Sequence, residues 1–194
     1  MRLAGGLEHL NIVLQKEPSK DLFYRRATVY ALLGDMSGVL MDLADAEKAA
    51  KWTSSEALTY GFCMKVFDKG VDQSVGDLRS LLQRATVRRE DPEVKEIIES
   101  NAHLVQVRQK LLDGWQAPAS NKNSHGKRRL ALNLLAQYLS GLKAYLADGN
   151  EDTLTDASID LNEAIKQLSA ARDALIKEEG NVAKHGSTAV YPDH

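Results

Sequence analysis

A single cysteine, Cys63, stands in a chain of 194 residues. One thiol excludes an internal disulfide and a zinc site built from several thiolates, and it fits a reducing compartment. Proline is scarce, with 4 residues, so long helices meet few interruptions. Aromatic residues make up only 6% and β-branched runs are rare, which argues against a sheet. The net charge of −2 provides no overall basic field of the kind expected for nucleic-acid binding. No apolar run reaches the roughly 18 residues of a membrane-spanning helix. The N-terminal MRLAGGLEHLNIVLQ mixes Glu8, His9 and Asn11 into its apolar stretch, unlike a signal-peptide core. These absences point to a cytoplasmic protein. What is present is 43% hydrophobic residues, enough for a real core.

The apolar residues recur at helical spacing. Leu7, Leu10, Val13 and Leu14 form a stripe over residues 4–16, which Pro18 ends. A second helix over 21–33 closes at Gly34, and a third spans 36–51. Ser54 or Ser55 caps a fourth, expected to run to about Asp68 and to end near Gly70. A separate helix is expected over 74–90. Asp91 and Pro92 then restart the chain as N-cap and first helical residue, opening a helix over 92–113. Two long helices follow, over 127–148 and 153–178. In the last, Leu154, Ala157, Leu161, Ala164, Leu168, Ala171 and Leu175 alternate spacings of 3 and 4, the seam of a coiled-coil-like contact. An antiparallel helical hairpin is the natural arrangement. If 153–178 pairs between chains instead, a homodimer follows.

A period of 34 residues starting at Lys20 and ending at Thr53 organises the first part of the chain. Within it Phe23, Ala27, Tyr30, Gly34, Leu43 and Ala46 fall at offsets 4, 8, 11, 15, 24 and 27. This pattern resembles the tetratricopeptide repeat. Val39 stands at offset 20, where that family has a small residue, and Lys51 at offset 32, where it has proline. The preceding segment fits the second helix of an earlier repeat through Gly6, Leu10, Val13 and Pro18. A third unit keeps Ala57, Gly61 and Met64 before the pattern fades at Asp68. The resemblance covers residues 5–68. It implies peptide or partner-protein binding on the face lined by the first helices of the repeats. By family offset that face carries Tyr24, Thr28 and Ala31 from one unit and Leu58, Phe62 and Lys65 from the next.

Chemistry-bearing motifs are sparse. The five histidines 9, 103, 125, 185 and 194 are scattered, with no HExxH and no metal-ligand spacing. Gly5-Gly6 leads into no phosphate-binding loop. Cys63, between Phe62 and Met64 within a helix, reads as a small buried hydrophobe without an activating base. No catalytic residue, metal ligand or cofactor is expected. Two basic clusters, Arg84 with Arg88 and Lys127 with Arg128 and Arg129, could contact phosphates. Nearby carboxylates and the lack of interleaved aromatics disfavour nucleic acid as the partner.

The expectation is therefore an all-α protein. A short tetratricopeptide-like array of helical hairpins over 1–114 is joined through a polar connection at 115–127 to a helical hairpin at 128–179, and a mobile tail follows at 180–194. The function expected is a non-enzymatic protein-interaction module, a scaffold, adaptor or assembly subunit, binding a peptide or helix of a partner. The alternative is a helical protein associated with nucleic acid through the basic clusters.

Overall fold

The computed structural model describes residues 2–186. Among these residues the chain is all-α. Its helices are α1 (Arg2–Lys16), α2 (Lys20–Leu33), α3 (Met36–Lys48), α4 (Glu56–Val87), α5 (Pro92–Gly114), α6 (Lys122–Asp148) and α7 (Glu151–Gly186), with a short 3-10 turn at Ala119–Asn121.

Local chemistry sets most of the boundaries. Gly34 closes α2 in the left-handed region at φ 76°, which only glycine adopts without strain. Asp35 then caps α3, its carboxylate accepting from the Gly38 N–H at 2.9 Å. Ser55 accepts from the Leu58 N–H at the start of α4, and Asp91 from the Glu93 N–H ahead of Pro92. Gly149, at φ 73°, makes the tight turn between α6 and α7.

The expected break near Gly70 does not occur. The segments read as two helices are one helix of 32 residues, α4. No proline interrupts residues 56–87, so every backbone N–H can continue the helical ladder. Gly70 serves close packing instead: a Cβ there would lie 2.1 Å from Leu32 Cδ2 of α2.

α2 and α3 form a hairpin, α1 packs on the outer side of α2, and α4 and α5 pack on the other side of that hairpin. Side chains 34 residues apart meet: Ser19 Oγ lies 3.5 Å from Thr53 Oγ1, and Lys51 Nζ bonds Glu17 Oε1 at 3.2 Å. Arg26 ties three helices together. It donates in a fork to the buried Asp42 of α3, at 2.6–3.2 Å, and to Asn11 Oδ1 of α1 at 2.8 Å.

α6 and α7 are antiparallel, with Gly141 against Ala157 and Ser124 against Glu178. The expected seam of α7 is buried from Ala157 to Leu175, and each buried leucine contributes about 1.5–3 kcal/mol. α6 of the same chain covers this face, so the seam is filled without a second copy.

The polar stretch at 115–127 is not an extended linker. Trp115, Asn121 and Ser124 are buried, and residues 122–127 are already the first turns of α6. The polar groups of Asn121 and Ser124 are paired: the Glu178 carboxylate accepts from the Ser124 N–H at 3.0 Å and from Asn121 Nδ2 at 3.4 Å. The Tyr138 hydroxyl of α6 donates to the Leu78 carbonyl of α4 at 2.6 Å. One buried apolar cluster runs from Ala27 to Leu175, so the stretch does not separate two cores. The start of the expected tail, 180–186, continues α7; residues 187–194 lie outside the described residues.

Asp21 links the start of α2 to the connection between α3 and α4. Its buried carboxylate accepts from the Thr53 N–H at 2.9 Å and from Thr53 Oγ1 at 2.5 Å. Burial pushes its pKa up, but the hydrogen bonds from Thr53 and Ser19 together hold the carboxyl below its ordinary value. The ionised form therefore stabilises the fold at pH above the unfolded value of about 3.9, and this contribution is lost as the pH falls through the lower folded value. The stability gap between wild type and Asp21→Asn is expected to narrow as the pH is lowered below about 4. Urea unfolding at stepped pH measures it, and a gap that stays constant into acid contradicts the assignment.

Candidate protein-interaction surface

The six residues expected to line a groove divide into two groups. Tyr24, Thr28 and Ala31 on α2 are not open to a partner. The Tyr24 ring stacks between two tryptophans, at 5.7 Å from Trp52 and 3.9 Å from Trp115. Thr28 is buried and donates to the Tyr24 carbonyl at 2.9 Å, and Ala31 is fully buried in the core cluster. The reason is Trp115 at the end of α5, whose ring packs on Tyr24 of α2 and on Tyr60 of α4.

Leu58, Phe62 and Lys65 on α4 do face outward. Leu58 is 69% exposed and Phe62 53%, unusual values for large apolar side chains one turn apart. The spacing 58, 62, 66, 69, 73 places Leu58, Phe62, Val66, Lys69 and Gln73 on one face of the helix. Val66 is half-buried, and Lys69 and Gln73 are exposed. The Arg25 guanidinium of α2 sits 5.2 Å from the Phe62 ring centroid and reaches Ser54 Oγ at 3.4 Å, which fixes one wall beside the stripe. On the other side Lys65 Nζ pairs with Glu179 of α7 at 2.8 Å.

The basic residues do not assemble into a patch. Arg84 pairs with Glu93 at 3.1 Å, Arg88 with Asp91 at 3.9 Å and Arg129 with Asp113 at 2.8 Å, while Lys127 is half-buried. Arg128 is fully buried against Asp68 of α4, with Nε at 2.9 Å from Oδ1 and Nη2 at 2.7 Å from Oδ2. Burial pulls the Arg128 pKa down, but the bonds to Asp68 outweigh it and hold the guanidinium above its ordinary value. A cation buried in this way holds helices together and is closed to phosphates.

Sequence reasoning missed three features: the Asp68–Arg128 pair, the Trp115 plug, and Arg108. Each had a signal. Arg108 lies three residues after Val105 and three before Leu111, and Arg128 three before Ala131, so both charges stand on inward-facing stripes. Arg108 is 3% exposed, donates to Ser74 Oγ at 3.0 Å and to the Gly70 carbonyl at 3.2 Å, and leaves its buried Nε–H without a partner. Burial lowers its pKa to about 10, with no neighbouring carboxylate to oppose it.

Cys63 is buried beside the Thr28 hydroxyl, and burial pushes its thiol up to about 12, the setting of a packed side chain. Among the described residues no three His, Cys, Asp or Glu side chains are grouped to hold a metal ion, and no helix is long and apolar enough to cross a membrane. Comparison of the chain with protein-family models, with curated proteins and with solved structures returned no match.

Proposed function

We propose that this chain is a non-enzymatic protein-interaction module that receives an apolar peptide or amphipathic helix of a partner along the outward stripe of α4. The observation that carries this reading is the pair Leu58 and Phe62. Both side chains are exposed, sit one turn apart, and are held on a rigid helix, with the Arg25 guanidinium against the Phe62 ring. An apolar pair with a cation at its edge suits the helix-in-groove mode, in which anchors at i and i+4 enter an apolar strip. Tetratricopeptide-like architecture goes with this reading. The 34-residue frame and the contacts of Ser19 with Thr53 and Glu17 with Lys51 support it, as does the side-by-side packing of α2 with α4 and of α3 with α5. A cytoplasmic location fits the lone buried thiol.

Peptides selected from a displayed random library against the wild-type protein test this reading. Selected sequences are expected to share apolar residues at helical spacing. Leu58→Asp and Phe62→Asp are each expected to weaken them by about 30-fold, the effect of losing an anchor worth about 2 kcal/mol. Both positions are exposed, so the melting temperature should hold. Unchanged affinity in both variants removes the α4 stripe from consideration.

A further inference from the structure

Beyond the apolar stripe, α4 borders a cleft of about 460 Å³ where α2 ends and α5 passes beneath. Its apolar walls come from Leu32, Val66 and Leu104, and its charged groups are Lys69, Asp77 and Arg108. We propose that this cleft is a binding site for a small organic monocarboxylate, a single carboxylate carried on a short apolar chain.

Arg108 carries the argument. A guanidinium offers five N–H donors in a planar fork that matches a carboxylate. Arg108 uses one on Ser74 Oγ and one on the Gly70 carbonyl, and among the described residues no carboxylate pairs with it. A buried, unpaired charge is costly, and buried charges are ordinarily paired. A purely structural role does not account for it. The Ser74 hydroxyl already bonds the Gly70 carbonyl at 3.3 Å, and that carbonyl belongs to the continuous ladder of α4, so neither acceptor needs Arg108.

The surroundings select the ligand. Two cations and one carboxylate line the cleft, which leaves one unit of positive charge for a monoanion to balance. Asp77 opposes a dianion such as phosphate. The three apolar side chains favour a ligand with a hydrocarbon body, and the volume falls within the range of about 300–1,000 Å³ for small-molecule sites.

Titration of the full chain with octanoate, octanamide, acetate and inorganic phosphate, followed by methyl NMR, tests the proposal. Octanoate is expected to shift the Leu32, Val66 and Leu104 methyl signals saturably. Octanamide, which has the same body without the charge, should bind at least tenfold more weakly. Acetate and phosphate should be weaker still, each lacking the hydrocarbon body. Arg108→Met should abolish the preference of octanoate over octanamide. The proposal is overturned if octanoate leaves these three methyls unshifted through the millimolar range, or if octanamide or phosphate binds as well. The acid-to-amide comparison is made on the wild-type protein and decides the matter even if the variant does not fold.

Discussion

Asp68→Ala is expected to lower the unfolding free energy by about 3–5 kcal/mol, the usual cost of removing one partner from a buried ion pair. Asp68 is 5% exposed and Arg128 is inaccessible, so deletion of the carboxylate strands a guanidinium between α4 and α6 with no water to receive it. The carboxylate takes two parallel N–H bonds from Arg128, and Arg172 Nε of α7 stands 3.9 Å from the same group. What remains to Arg128 is a single bond to the Ser124 carbonyl at 3.2 Å. Urea unfolding monitored by circular dichroism measures the loss as a lower midpoint with little change in slope. The double variant Asp68→Leu with Arg128→Met should recover most of it, because replacing both charges with apolar groups removes the desolvation cost along with the pair. A single-variant loss below about 1 kcal/mol places the Arg128 charge in contact with solvent and rejects the buried pair.

The contrast with Arg108 shows what could be read from the sequence and what could not. Both arginines occupy inward stripe positions, which periodicity reveals. Whether a carboxylate waits opposite each depends on the packing of helices distant in the chain, 60 residues away for Asp68 and Arg128. Local signals, by contrast, were legible because they act within a turn: Gly34, Asp91 with Pro92, and Ser55 set helix ends where expected. Gly70 misled because the same residue that ends a helix through left-handed backbone also permits close approach of a neighbour, and only the position of Leu32 distinguishes the two. Residues 115–127 misled because a buried helix start can be lined with polar groups when a distant side chain, here Glu178, pairs with them. The candidate surface divided along the same line. Leu58 and Phe62, assigned outward by the offsets of the 34-residue frame, do face outward on their own helix, whereas the closing of Tyr24, Thr28 and Ala31 required a tryptophan 91 positions away from Tyr24.

Trp115→Ala is expected to cost a further about 3–5 kcal/mol relative to wild type, the range for deleting a large buried aromatic. Trp115 is 1% exposed, and its ring stacks on Tyr24 at 3.9 Å and meets the Tyr60 ring edge-on at 5.7 Å and 84°. With Trp52 on the far face of Tyr24, the rings join α2, α4, the end of α5 and the connection ahead of α4. Such ring pairs add about 0.5–1.5 kcal/mol each beyond the area they bury. The Trp115 Nε1–H has no partner, so this residue is held by packing and not by its polar group. Trp115→Phe keeps a stacking ring and discards the unsatisfied N–H, and its loss should be less than half that of alanine. Equal losses in the two variants contradict a packing role for the ring system. The alanine variant also uncovers one face of Tyr24, the part of the α2 surface that the repeat frame assigned to recognition. Peptides selected on the wild type should therefore bind Trp115→Ala unchanged under conditions where it is folded, since their anchors lie on Leu58 and Phe62. If they bind more tightly, the plug and not the α4 stripe controls access, and Tyr24 returns to the interaction surface.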